Sequence, residues 1–275
     1  MPLPDVHERF LDGLLPRVRS DSRIVGVAAG GSVANGVPDE YSDVDLVLAV
    51  EDDAFDQVMR ERLALIEAWS PLVAGFTGEH VGEPRLIITL MGPEALHVDF
   101  KFVRYTDFTS RVDELQVLWE RDGRLSTALA ATSPSPPRLD LQWIDDRFWV
   151  WIHYGATKLA RGELFEAIGF ISYLRETVFG PLIQYRHGKL LQGVRRLETT
   201  DPDAARALEA TVCGRDTGEI GRALLACVDL YDQWTDGIDI AFHRNDAAAR
   251  LATQYLDQVV GRLGSGPASD SRAAG

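Results

Sequence analysis

Cysteine is nearly absent: Cys213 and Cys227 are the only two in 275 residues. Both fall in helix-like sequence with no other metal-ligating side chains beside them. That argues against a disulfide scaffold or thiolate metal centre and for two reduced thiols in a cytoplasmic protein. Long apolar runs are missing too. No uncharged stretch approaches the roughly 20 residues that a membrane-crossing helix requires, so no membrane partner is expected. The opening residues MPLPDVHERF carry acids and no apolar segment, so no secretory signal is expected. Positive charge is the third scarcity. Lys and Arg number 28 against 42 Asp and Glu, a formal net charge of −14, and no Lys/Arg-rich run occurs. A protein that binds nucleic acid needs a basic face to displace counterions from phosphates, so nucleic acid is not an expected partner. The acidity suits either plain solubility or a cationic small molecule drawn to a negative cleft.

What is present is an ordinary globular balance, 45% apolar and 25% charged. The length allows one large or two modest domains. Residues 5–19 place Val6, Phe10, Leu14 and Val18 on one helical stripe, with His7 off the stripe and in solvent. A strand follows at Ile24–Ala29 and another at 43–50. Residues 52–69 read as a helix carrying Phe55, Met59 and Leu63, stopped by Pro71. Short strands are expected at 72–76 and 85–91, with a loop at 78–82 and a turn at Gly92-Pro93. Leu96–Arg104 alternates cleanly, with Leu96, Val98, Phe100 and Phe102 to one side and His97, Asp99, Lys101 and Val103 to the other. Val112, Leu115, Leu118 and Trp119 suggest a short helix, and residues 121–124 a turn. A Pro/Ser cluster at 132–137 resists both helix and central strand and marks a domain boundary.

Beyond that boundary the period is helical throughout. Residues 141–161 form an aromatic-rich helix buried on most sides and broken at Gly162. Leu164, Ile168, Ile171, Leu174 and Val178 make the stripe of a second helix, kinked or ended at Gly180-Pro181. Pro202 opens a third. Ile220, Leu224, Cys227, Tyr231 and Trp234 stripe a fourth, and Ala248, Leu251, Tyr255 and Val259 a fifth. Such stripes bury against one another in a bundle. Residues 264–275 are low in complexity and expected to be disordered. There is no internal repeat.

The stretch that carries chemistry is 25–50, VGVAAGGSVANGVPDEYSDVDLVLAV. Gly30 and Gly31 permit backbone conformations that side chains forbid and let the chain approach a ligand closely. With Ser32 they form a turn able to offer consecutive N–H groups and a hydroxyl to an anion. Asp43 and Asp45 open the next strand two residues apart, so their carboxylates share a face, while Val44, Leu46, Leu48 and Val50 point into a core. Two carboxylates on one face repel unless a cation lies between them. Mg²⁺ is commonly held by one or two carboxylates plus substrate phosphates. The stretch therefore pairs a phosphate cradle with a metal site. Gly-Gly-Ser alone is a common turn and Asp-x-Asp alone a common strand edge; the combination, ten residues apart, is more specific.

Gly31-Ser32, ten residues, then Asp43-x-Asp45 resembles the signature of the DNA polymerase β-type nucleotidyltransferase superfamily. Within it, the chain most resembles the small bacterial enzymes that adenylylate aminoglycoside or lincosamide antibiotics. The resemblance implies an α+β chain. A mixed β-sheet nucleotidyltransferase domain flanked by helices would occupy residues 1–132. An all-α helical bundle domain would occupy 138–263, with an active cleft between the two. It implies Mg²⁺ and a nucleoside triphosphate, favouring ATP, whose monophosphate passes to a hydroxyl of a small molecule such as an aminoglycoside. Asp43 and Asp45 would hold metal, and Gly31 and Ser32 phosphate oxygens. Asp99 matches the superfamily's third carboxylate in position and type, as a metal ligand or as the acceptor of the hydroxyl proton.

The same resemblance implies that the helical domain supplies a base and cations for the triphosphate. Lys158, Arg161, Glu163, Glu166 and Arg175 are the candidates, Lys158 for phosphate and Glu166 for the base. Lys158 and Arg161, three apart, reach one ligand from one helical face, although a charged cluster at a helix end also describes a solvated face. Trp143, Trp149 and Trp151 either line an acceptor pocket or fill core. Two other readings stay open. One is transfer to a protein, as in adenylylating antitoxins, against which the large helical half argues. The other is a nucleotide-binding module without catalysis, against which the presence of both Asp43 and Asp45 argues. A serine hydrolase is not expected, because Ser32 lacks a Gly-x-Ser-x-Gly elbow.

Overall fold

The structure, a computed structural model, describes residues 3–264. Internal contacts divide the chain into two compact units, Met1–Pro136 and Pro137–Gly275.

Six short apolar runs of the first unit form one mixed sheet. They are β1 (Ile24–Ala29), β2 (Val44–Val50), β3 (Leu72–Gly78), β4 (Glu83–Met91), β5 (Leu96–Arg104) and β6 (Gln116–Glu120), in the spatial order β3-β4-β5-β2-β1-β6. β2 and β5 run parallel, and every other neighbouring pair is antiparallel. One face of the sheet is covered by α1 (Asp5–Ser20) and α3 (Phe55–Trp69). Leu11, Leu14 and Val18 of α1 and Val58 and Ile66 of α3 pack there with Val44, Leu46, Leu48, Val98, Phe100 and Phe102. Each such side chain contributes about 1.5–3 kcal/mol on burial. Because side chains alternate along a strand, committing these residues to the core sends Asp45 and Asp99 to the opposite face. That face has a smaller core of its own: Val25, Ala28, Ala49, Val103, Phe108 and Leu125, the last from α4 (Arg124–Ala130).

Several expectations change in the first unit. The buried stripe of α1 is His7, Leu11, Leu14 and Val18, one position on from Val6 and Phe10 in its first half. His7 is therefore fully buried rather than solvated. Its Nε2 donates to the Ser42 carbonyl oxygen at 2.7 Å, a partner from another part of the chain that local periodicity does not register. The helix expected around 112–119 is instead strand β6, paired antiparallel with β1. Without it β1 would present an open row of N–H and C=O groups, and a short apolar run fits either period. The helix expected from residue 52 starts at Phe55. The expected loop at 78–82 holds a single 3₁₀ turn over Glu79–Val81, closed by Gly82 at φ 76°.

The second unit is all helical: α5 (Leu141–Ala160), α6 (Leu164–Leu174), α7 (Gly180–Arg186), α8 (Leu197–Thr200), α9 (Pro202–Leu208), α10 (Thr217–Thr235) and α11 (Asp246–Gly264), with a short 3₁₀ turn at Glu209–Thr211. Asp140, Asp201 and Asp216 cap α5, α9 and α10 by accepting from Trp143 N, Ala204 N and Glu219 N, filling donors that a helix start leaves open. Ile220, Leu224, Cys227, Tyr231 and Trp234 are buried as their spacing predicts. Two expectations shift. Gly180-Pro181 does not end the second helix; the chain passes through a π-helical segment, Arg175–Phe179, into α7, where Pro181 falls in the first turn and removes no needed N–H. The stripe of α11 is Ala249, Ala252, Leu256 and Val259, and Leu251 points outward.

Cys213 lies in the loop before α10 rather than in a helix, Cys227 is buried in α10, and both are free thiols. Trp149 belongs to the core, edge-on to Phe148 and Tyr231, whereas Trp143 and Trp151 meet each other nearer the surface. Of the expected disordered tail, Gly264 closes α11 and residues 265–275 lie outside the described residues. Among the described residues no helix is long and apolar enough to cross a membrane.

Candidate active site

Gly30 ends β1 and donates its N–H to the Asp45 carbonyl oxygen at 2.9 Å, so the glycine turn is tied to β2 at the acid itself. Gly31 then takes φ +55° and opens a one-turn helix, α2 (Gly31–Ala34). Two features require glycine at 31. The backbone lies in the left-handed region, and a Cβ there would overlap Asp45 Oδ2. Asn35 Nδ2 closes the turn on the Gly31 carbonyl oxygen at 2.8 Å. The Ser32 hydroxyl, one residue on, is buried and has no hydrogen-bond partner. A buried polar atom left unpaired costs free energy, a cost that a group from outside the chain would remove.

The segment leading into β2 is braced before Asp43 is reached. Asp39 Oδ1 accepts from Tyr41 N at 2.9 Å and from Ser42 Oγ at 3.1 Å. The buried His7 ring holds Ser42 from the α1 side. Asp43 therefore stands next to a residue fixed by two elements. His7 is the positioning residue that periodicity missed; a histidine one step off a stripe carries no signal that its partner lies thirty-five residues away.

Asp45 and Asp99 are direct partners in the parallel β2–β5 ladder. Side chains paired across a ladder share a face, so the two carboxylates stand side by side. Burial pushes the Asp99 carboxyl above its ordinary range. His97, 3.0 Å away, pulls it down, and the charge of Asp43 pushes it further up. Among the described residues no three His, Cys, Asp or Glu side chains are disposed to hold a metal ion together. As a donor set the acids nonetheless fit a hard divalent cation: all oxygen, two on one rung and a third close enough to raise Asp99. The empty bonding capacity of Ser32 and the side-chain-free approach at Gly31 fit phosphate oxygens.

Lys158 and Glu166, expected to serve the same chemistry, are brought together with each other in the second unit. Lys158 Nζ lies 2.7 Å from Glu163 Oε2 and 3.0 Å from Glu166 Oε1. Tyr154 OH donates to Glu166 Oε1. Tyr154 first and Lys158 second hold the Glu166 carboxyl below its ordinary range. Glu163 and Glu166 hold the Lys158 ammonium above its own. Arg161 pairs with Glu163 at 2.7 Å, and Arg175 is engaged by the Thr211 carbonyl oxygen at 2.8 Å.

Residues 11–80, from within α1 to the turn after β3, match the family model described as the nucleotidyltransferase domain. That span contains Gly31, Ser32, Asp43 and Asp45, so the first unit carries a nucleotidyltransferase domain. Among solved structures, a nucleotidyltransferase-like protein from Exiguobacterium sibiricum 255-15 aligns at 13% identity and TM-score 0.39, over 98% of this chain and 97% of that one. The STING-associated CdnE c-di-GMP synthase from Capnocytophaga granulosa aligns at 12% identity and TM-score 0.31, over 94% and 80%. The E. coli MS115-1 CdnC:HORMA-deltaN complex contributes a chain at 14% identity and TM-score 0.27, over 94% and 92%. Values this low leave the assignment with the domain match. Among curated proteins no match is found.

Proposed function

We propose that the chain moves a nucleoside monophosphate, AMP from ATP, to a hydroxyl of a small-molecule acceptor, with Mg²⁺ as cofactor. The observation that carries this reading is the buried, unpartnered Ser32 hydroxyl beside the Gly31 turn that closes on Asp45. Gly31 and Ser32 bind phosphate oxygens. Asp43, Asp45 and Asp99 are the residues that would hold the metal, which when bound offsets phosphate charge and stabilises the in-line transition state. The acceptor oxygen bonds to the α-phosphorus, the bond from that phosphorus to the β-bridging oxygen breaks, and pyrophosphate leaves. The acceptor proton goes to Asp99. Of the two candidate bases Asp99 suits this role better: burial raises its carboxyl, whereas Tyr154 and Lys158 hold Glu166 low, and a base works best with its pKa near the operating pH. Lys158, already neutralised by Glu163 and Glu166, meets phosphate only by exchanging those partners. The two units then correspond to a nucleotidyltransferase domain and a helical domain. The sequence resemblance and the net charge of −14 point to an aminoglycoside-like acceptor and a role in antibiotic resistance; the face beside Asp99 favours an uncharged one.

Two variants test the reading. Ser32→Ala should hold or raise the melting temperature of the free protein, since Oγ is buried without a partner, while the MgATP-induced rise in melting temperature shrinks. Asp43→Asn should abolish Mg²⁺-dependent pyrophosphate release with the fold retained by circular dichroism. Unimpaired release by Asp43→Asn would sink the metal assignment.

A further inference from the structure

The acid pair does not end at Asp99. Ladder partners continue in a straight line across the sheet: Asp45 pairs with Asp99, Asp99 with Ile88 on β4, and Ile88 with Phe76 on β3. One rung along, His97 pairs with Leu90, and Leu90 with Ala74. Paired residues share a face. The face that carries the acids therefore becomes apolar beyond Asp99, through Ile88, Leu90, Ala74 and Phe76. Strands lie about 4.8 Å apart, so the apolar strip runs roughly 10 Å outward from Asp99. It is not core. Phe76 is 56% and Leu90 41% exposed, while their strand neighbours Ile87, Thr89 and Met91 face the other way and are buried. Contiguous apolar surface left open on a folded chain marks a binding site more often than chance.

Position and charge select the occupant. The Gly31–Ser32 turn lies at the β1 edge of the acids and the apolar strip at the β4 edge, so the triphosphate and the strip flank the acids from opposite sides. In-line transfer brings the acceptor from the side opposite the leaving group, which is the side of the strip. Its charged neighbours are engaged: Lys101 with Glu83 at 2.8 Å and His97 with Asp99 at 3.0 Å. Ala74, Phe76, Ile88 and Leu90 offer no counter-charge to a polycation. Resting on the nucleotidyl-transfer reading above, we infer that this strip is the acceptor subsite, and that it takes an uncharged acceptor with a flat apolar or aromatic body whose hydroxyl reaches Asp99.

The test uses the full chain and three probes: 8-anilinonaphthalene-1-sulfonate fluorescence, 2-naphthalenemethanol and 2-methylnaphthalene as competitors. Wild type should bind the dye, and the alcohol should displace it at least threefold more tightly than the hydrocarbon. Phe76→Ser/Leu90→Ser should weaken all three at least tenfold, with its melting temperature and its MgATP-induced shift retained. Asp99→Ala should erase the difference between alcohol and hydrocarbon while leaving dye affinity within twofold. Dye and competitor affinities unchanged in Phe76→Ser/Leu90→Ser would overturn the inference. So would kanamycin displacing the alcohol at the same site, or a dimeric wild type that becomes monomeric in the same variant, which would give the strip to a second copy of the chain. Loss of the MgATP shift in wild type, with probe binding intact, would instead count against the nucleotide reading alone.

Discussion

Asp45 and Asp99 occupy one rung of the parallel β2–β5 ladder. They lie fifty-four positions apart in sequence, yet the register leaves them nowhere to stand but side by side. Val44, Leu46, Val98 and Phe100, the flanking residues on both strands, are all buried on the other face. A one-residue slip in either strand would bury a carboxylate and expose its apolar neighbours. The geometry of the acids is thus enforced by the core beneath them.

Gly31→Ala tests how closely the glycine turn and Asp45 are fitted. A methyl group there meets Asp45 Oδ2 in a backbone held at φ +55°. The substitution should cost about 1–2 kcal/mol of stability and displace the carboxylate, so pyrophosphate release should fall much further than the stability loss explains. Urea unfolding together with initial rates checks this; activity within twofold of wild type would show that the close approach is not needed.

His7 is expected to matter for a residue it does not touch. Removing its ring in His7→Ala leaves the Ser42 carbonyl oxygen without its donor and opens a cavity under α1. A loss of about 1–3 kcal/mol follows from the stranded acceptor. His7→Gln, which can still donate, should recover part of it. If Ala and Gln variants unfold at the same urea concentration, the hydrogen bond to Ser42 is not what holds the segment before Asp43.

A buried knot in the helical unit makes an independent prediction. Asp145 is 1% exposed and accepts from Trp149 Nε1 at 3.2 Å, Tyr231 OH at 3.0 Å and Asn245 N at 2.9 Å. It joins α5 to α10 and to the residue before α11. Asp145→Ala strands all three donors and should cost about 3 kcal/mol or more, whereas Tyr231→Phe removes one hydroxyl and should cost about 1 kcal/mol. Thermal melts of both variants read the difference, and a reversed order would mean that the Tyr231 hydroxyl, rather than the Asp145 carboxylate, is the member on which the network depends.

Glu83 supplies a pH dependence. Arg85 first and Lys101 second hold its carboxyl at about 2, below the ordinary 4.5. A folded-state value below the unfolded one stabilises above about pH 4.5, and that stabilisation is lost as the pH falls toward 2. The group is partly exposed, so the contribution is roughly 1 kcal/mol after screening. Glu83→Gln should therefore be less stable than wild type near neutrality and converge with it in acid. Urea unfolding across that window decides the matter, and a gap that stays constant on acidification would remove Glu83 from the account.

Local order was legible in the sequence alone. The spacing of Gly31, Ser32 and Asp45 was legible because a glycine turn and a two-residue strand period are local properties of a few consecutive residues; Asp43, expected to open the strand, stands one residue before β2, which begins at Val44. The clean alternation of Leu96–Arg104 was legible for the same reason, and so was the stripe of α10, whereas in the equally long α11 the buried face lies one position from the expected one over most of its length. The features that were not legible all involve partners distant in the chain. Residues 116–120 became a strand because the edge of β1 required hydrogen bonds. His7 was buried because Ser42 needed a donor. Lys158 and Glu166 were joined to each other by the turn of chain between α5 and α6. The apolar strip beyond Asp99 appears only when the register of three strands is known. Local periodicity records which face a residue takes within its own element; which element lies opposite is set by backbone pairing and core packing across the whole sheet, and no short window of sequence contains it.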